Sequence, residues 1–180
     1  IAESADNNPL VVAPPDRGGL GFQAQWNDDF HHALHAGLTG ERDGYYQDYG
    51  AIEQLGAAYT HGFVFRGEYS KYRGRRHGAN TPSTPAHRLV TFAQNHDQVG
   101  NRAGAERLTS LVGERKARLA TAATLLSPNI PLLFMGEEYG ETAPFPYFVD
   151  HGDPALLDAV RRGRAAEFGR DADQFDPADP

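Results

Sequence analysis

Four polar residues in a row, Asn95-His96-Asp97-Gln98, close the apolar run RLVTFAQ (88–94), and a second acidic residue, Glu3, follows the apolar pair that opens the chain. Carboxylates at the ends of strands suit glycoside hydrolysis, in which one group protonates the leaving oxygen and others stabilise an oxocarbenium-like centre. Asn95 and His96 would suit hydrogen bonds to sugar hydroxyls. Trp26, Tyr147 and Phe148 offer flat apolar faces on which a sugar ring can stack. Plainer roles stand beside these: an Asp after a strand shapes a turn, and Glu3 can be a solvated side chain.

Other chemistries find less support in the sequence. His31 and His35 have the four-residue spacing of a helical metal pair, but position 32 is His where the HExxH pattern needs Glu. Packing against neighbours is the simpler role for them. Asp150-His151-Gly152-Asp153 reads as a turn into a helix cap rather than a calcium loop, because the later ligand positions are missing. Lys71, Arg73, Arg75, Arg76 and His77 form a basic run with Tyr69 and Tyr72 among them, expected to be a solvated loop or a rim that meets sugar or anions. There is no glycine-rich phosphate loop and no G-x-S-x-G elbow.

The elements that must position these residues alternate. GFQAQW (21–26) has a period-two pattern and predicts a strand. Asn27-Asp28-Asp29 can cap a helix over 30–38, with Gly40 as its stop. A short helix is expected over 51–58, followed by turn-rich sequence. The run 88–94 predicts a strand buried on both faces. Leu108, Leu111, Val112, Leu119, Ala122 and Leu126 recur at helical spacing and predict one amphipathic helix over 106–126, closed by Pro128. IPLLFM (130–135) predicts another buried strand, and Asp153-Pro154 a cap and first residue for a helix over 155–168. Each predicted strand ends in polar or acidic residues: Asn27-Asp28-Asp29, Asn95-His96-Asp97 and Glu137-Glu138. Alternating β and α elements imply an α/β fold with a parallel sheet, open or closed into a barrel, and ligands bind at the C-terminal strand ends in both.

At 180 residues the length fits about one domain with a real core. The net charge of −7 disfavours nucleic acid or an anionic membrane as partner. No apolar run reaches the ~18 residues of a membrane span. The absence of Cys excludes disulfide and thiolate chemistry. Met135 is the single Met, and the chain opens on IAES, which suggests an internal or processed piece of a longer protein.

In chain order, IAES (1–4), FAQNHD (92–97) and PLLFMGEE (131–138) resemble the later signature regions of the alpha-amylase superfamily of glycoside hydrolases. The longer blocks QWNDDFHHALH (25–35), GYYQDYG (44–50), GEYSKYRGRRHG (67–78), NHDQVGNRA (95–103) and APFPYFVDHGDPALLDAVRRGRAAEF (143–168) resemble its malto-oligosyltrehalose trehalohydrolase family. The resemblance implies the second part of a (β/α)8 barrel, from the end of strand 5 to helix 8, over 1–170, with 171–180 a linker toward a β-domain. It implies Glu3 as general acid/base, Asp97 as the transition-state-stabilising aspartate and His96 as a sugar contact, with Asn95, Trp26, Asp28 and Tyr147 as further substrate-binding candidates. The nucleophilic aspartate of such enzymes follows the fourth strand, upstream of Ile1, so the piece alone is expected to be inactive. The implied reaction is retaining cleavage of the α-1,4 bond beside the terminal trehalose unit of a malto-oligosaccharide, with no metal or organic cofactor. It also implies a cytoplasmic setting and functional pairing with a maltooligosyl trehalose synthase. A 1,4-alpha-glucan branching enzyme and a catalytically silent half-barrel that binds sugar are the alternatives.

Overall fold

The structure, a computed structural model, describes residues 1–79 and 84–167. Three parallel strands form the central sheet in the order β1 (Gln25–Trp26), β4 (Leu89–Thr91), β5 (Ile130–Pro131). Ala2 adds a parallel bridge to Gln25 on the far side of β1. Each main strand thus lies beside the next one in the chain, with no reversal of order. That sequential, parallel arrangement is how a (β/α)8 barrel is wound, whereas an open doubly wound sheet reverses direction at a switch point.

The strands are shorter than expected from the sequence. The predicted strand over 21–26 pairs in the sheet only at 25–26. Its first residues bond elsewhere: Leu20 N donates to Leu10 O and Phe22 N to Val11 O, and the left-handed Gly21 turns the chain. The run 88–94 is a ladder at 89–91, with Arg88 in a 3-10 turn and Phe92, Ala93 and Gln94 buried beyond the ladder. The run 130–135 is paired at 130–131, extended by Leu132 N donating to Thr91 O.

Helix α1 (Asp28–Thr39) starts where Asn27 Oδ1 accepts the amide of Phe30, and it stops at left-handed Gly40. Phe30 and Leu34 pack on Ala58 of α2 (Ile52–His61), on Ala93 and Leu108, and on Ala120. This is the main core, and the burial follows from apolar positions at helical spacing. The other α1 face meets Tyr46, Tyr49 and Phe65. The turn-rich 67–78 segment folds as an antiparallel hairpin, β2 (Tyr69–Ser70) with β3 (Arg75–Arg76). Asp48 holds its tip by accepting from Ser70 Oγ, Lys71 N and Tyr72 N.

The single helix predicted over 106–126 is two, α4 (Leu108–Val112) and α5 (Glu114–Leu125). Gly113 separates them with φ 79° and ψ 161°, a conformation that ends one helix and that residues with a Cβ rarely adopt. Periodicity survives such a break, so sequence spacing alone does not reveal it. Helix α6 (Pro154–Glu167) begins as expected, with Asp153 Oδ1 accepting from Ala155 N. The proposed linker over 171–180 and the predicted end of α6 at 168 lie outside the described residues.

Candidate active site

The residues that follow Ala2, β1 and β4 converge on one cleft of about 720 Å³. Glu3 comes from the first of these strand ends, Trp26 and Asp28 from the second, Asp97 from the third. His32 and Tyr45 line its α1 side, and Tyr72 and Arg73 reach it from the hairpin tip. Oxygen atoms of Glu3 and Asp97 and a ring nitrogen of His96 all lie within 4.8 Å of one another, and all three side chains are exposed.

Local chemistry explains why Asp97 stands there. Asn95 caps a short helix, α3 (His96–Gly100), with its Oδ1 accepting from Asp97 N at 2.9 Å and Gln98 N at 3.4 Å. Gln98 Oε1 accepts from Asn95 N at 3.0 Å and completes a capping box. Asp97 therefore sits in the first turn, where the helix dipole favours a negative charge. His96 Nε2 is 3.3 Å from Asp97 Oδ1, and its ring lies 6.0 Å from that of Trp26. From the far side, Arg102 clamps Glu41 with two hydrogen bonds of 3.0 and 2.7 Å and so ties the segment after α3 to the end of α1. The Arg102 guanidinium is the main cause that holds the Glu41 carboxyl down at about 2.

Two neighbouring aspartates at the start of α1 differ in task. Asp29 is buried and accepts from Asn7 Nδ2, Tyr49 Oη, Val64 N and Phe65 N. Its burial raises its pKa, and the hydrogen bonds from Tyr49, Phe65 and Val64 oppose the rise. Asp28 faces the cleft. Burial first, then the charges of Asp29, Asp97 and Glu3, push its carboxyl up to about 6, while Arg73 pulls the other way. His32 is held neutral, lowered to about 3 by burial and by the charge of Arg73.

Not every candidate joins the cleft. Asn95 is buried and its carbonyl oxygen is committed to the cap. Tyr147 lies under the Arg164 guanidinium, 4.4 Å from its ring centre, and does not line the cleft. Phe148 is exposed against Phe145. The acidic end of the third strand is diverted too: Glu137 accepts from Thr121 Oγ1 and Phe134 N in a separate cleft of about 350 Å³. His31 and His35 are packing residues. His31 bonds Ala93 O through Nδ1 and Tyr46 Oη through Nε2, and His35 bonds Glu41. His32 and Tyr45 line the cleft as well and are not among the candidates the sequence offers. For His32 a signal existed, since it lies one helical turn after Asp28 and shares its face.

Glu3, His96 and Asp97 are the group among the described residues whose donor atoms could grip one metal ion. Two exposed carboxylates and an imidazole are equally what proton transfer to a glycosidic oxygen needs, with no metal ion required.

No family model matches the chain. It is 50% identical over 173 residues to a malto-oligosyltrehalose trehalohydrolase of Saccharolobus solfataricus, covering 96% of this chain and 31% of that protein. It is 46% identical to the protein of the same name from Arthrobacter ramosus, over 99% of this chain and 31% of that one. The one from Deinococcus radiodurans is 39% identical over 94% of this chain and 28% of its own length. The chain thus spans about 31% of the length of the first of these curated relatives. Among solved structures, one from Salmonella typhimurium, provisionally described as an alpha amylase, superposes with a TM-score of 0.83 at 43% identity, over 99% of this chain and 31% of that one. Over this segment the chain is homologous to the malto-oligosyltrehalose trehalohydrolases, and its fold is the corresponding part of an alpha-amylase-type barrel.

Proposed function

We propose that the chain supplies the acid/base half of the active site of a retaining glycoside hydrolase that releases trehalose from malto-oligosyl trehalose. The observation that carries this reading is the meeting of Glu3 and Asp97, from separate strand ends, within 4.8 Å in one open cleft. Similarity to the trehalohydrolases, over the segment that holds both residues, supports the choice of substrate.

Glu3, as general acid, gives its proton to the departing glycosidic oxygen while an aspartate supplied from outside this chain attacks the anomeric carbon. Water then attacks the glycosyl-enzyme, and Glu3, now a base, takes its proton. Asp97 stabilises the positive charge that develops on the sugar and holds ring hydroxyls, an electrostatic role worth several kcal/mol in such sites, on the order of 3. His96 and Asp28 hydrogen-bond hydroxyls, and Trp26 gives the ring an apolar face.

The protein's cytoplasmic setting, its supply by a maltooligosyl trehalose synthase and its lack of nucleic-acid or membrane partners belong to the same proposal. A net charge of −7 supports the last of these. The test is product analysis of the intact protein on maltotetraosyl trehalose and on amylose. Free trehalose with retained configuration at the new reducing end supports the reading. New α-1,6 branches would instead make it a branching enzyme, and sugar binding without turnover would make it a silent module.

A further inference from the structure

Among the described residues that line the cleft, His32 is the one that carries a buried polar atom without a hydrogen-bond partner. Its ring is wedged among Tyr45, Tyr46 and Tyr49, at centroid distances of 4.4, 5.6 and 5.1 Å, and is 7% exposed. Nδ1 is sealed from solvent with no hydrogen-bond partner. His31 and His35, on the same helix, both have partners. An aromatic residue would fill the same space without stranding a polar atom, and a buried polar group left unpaired is a cost that asks for a function.

We propose that His32 is a substrate-contacting residue, donating through Nε2–H to a hydroxyl oxygen of a glucosyl unit in the cleft that Asp28, Glu3 and Asp97 share. The proposal rests on the reading of that cleft as a glycosidase site and adds a specificity-determining contact to it.

The tautomer follows from the burial. A sealed N–H without an acceptor is rarer and dearer than a sealed lone pair, so Nδ1 keeps the lone pair and the proton sits on Nε2. His32 lines the cleft, and with Nδ1 closed off, the Nε2 edge is the polar part of the ring left to face it. The imidazole stays neutral across the physiological range because burial and Arg73 disfavour its charged form. Asp28, one turn earlier on the same face, offers the complementary group, an acceptor when ionised. A neutral donor beside a carboxyl matches a polyhydroxylated, uncharged ligand better than an anion, which Asp28, Glu3 and Asp97 would repel.

Three variants of the intact protein separate contact from packing. His32→Phe keeps the ring among the tyrosines and removes both nitrogens. His32→Gln places an amide N–H near the Nε2 position, and His32→Asn places one near Nδ1. For a single neutral hydrogen bond made in the ground state, His32→Phe and His32→Asn should raise KM for maltotetraosyl trehalose about five- to tenfold with kcat little changed, while His32→Gln stays within about twofold of the parent. An unchanged KM in His32→Phe, or equal loss in Phe and Gln variants, overturns the proposal. Long-range proton–nitrogen NMR on histidine-labelled protein gives the second readout, with His32 identified by the signal missing in His32→Phe. The Nε2–H tautomer should be seen, and its nitrogen should shift on titration with maltotetraose; the opposite tautomer or no shift overturns the assignment. If the parent releases no trehalose, the proposed function fails by itself, and the maltotetraose titration still decides the role of His32.

Discussion

Asn7 donates its side-chain amide to Asp29 Oδ2 at 2.7 Å, joining the loop that carries Glu3 to the helix that carries Asp28. Asn7 also donates to Phe65 O and adopts φ 51°, a left-handed conformation uncommon outside glycine. Its local conformation is held by partners distant in sequence, chief among them one buried carboxylate. Replacing Asp29 by Ala strands the Tyr49 hydroxyl and the amides of Val64 and Phe65 at once and leaves the Asn7 amide only its bond to Phe65 O. The expected loss is about 3 kcal/mol or more, since each stranded buried group costs roughly 1–3 kcal/mol. Urea unfolding checks it, and a loss below about 1 kcal/mol would show that these bonds are replaceable.

Asp28 makes stability depend on pH in a direction that can be worked out. Its folded pKa, about 6, lies above the ordinary 3.8 through burial and the nearby charges of Asp29, Asp97 and Glu3. The folded state therefore binds the proton more tightly. Its contribution is fully present below about pH 4 and is lost as pH rises through about 6. Asp28→Asn removes the penalty on the charged form. Its stability relative to the parent should be near zero at pH 4 and should climb with pH, levelling off above pH 7 at no more than about 3 kcal/mol. Paired urea titrations at several pH values measure this difference, and a gap that shrinks as pH rises contradicts it.

The capping box around Asp97 predicts a graded series. Asn95→Ala removes the acceptor for the Asp97 and Gln98 amides and should cost about 1 kcal/mol, while Asn95→Asp or Asn95→Ser, both good caps, should cost less. Because α3 is one short turn-and-a-half element carrying Asp97, activity should fall with the same ranking. An Asn95→Ala protein as active and stable as its parent would separate the cap from the site.

Much of this site could be read in the sequence because its chemistry lies at strand ends, where hydrophobic runs stop abruptly. Glu3, Trp26, Asp28, His96 and Asp97 were all placed by that pattern and by family resemblance, and the structure gathers them. Asn95 and Tyr147 were indistinguishable from them in sequence. A buried cap and an exposed ligand contact are both polar residues after a strand, and only three-dimensional context separates them. The sequence pattern runs longer than the strands for a related reason. Gly21 and the residues after Thr91 continue an apolar pattern while their backbone groups bond off the ladder, Gly21 N to Ala13 O and Ala93 O to the His31 ring. Gly113 breaks a helix without breaking its periodicity. His32 escaped because a histidine on an apolar helix face usually packs, and its unpaired nitrogen is visible only once the neighbours are in place.

The most direct test of the central claim is turnover of maltotetraosyl trehalose by the intact protein, followed as free trehalose, for the parent and for Glu3→Gln and Asp97→Asn. Both variants keep the shape of the site and remove a carboxyl that acts on the reacting sugar. The account predicts trehalose release by the parent and a fall in kcat of about 100-fold or more in each variant, with folding unchanged by circular dichroism. Near-parental turnover in either folded variant would contradict it.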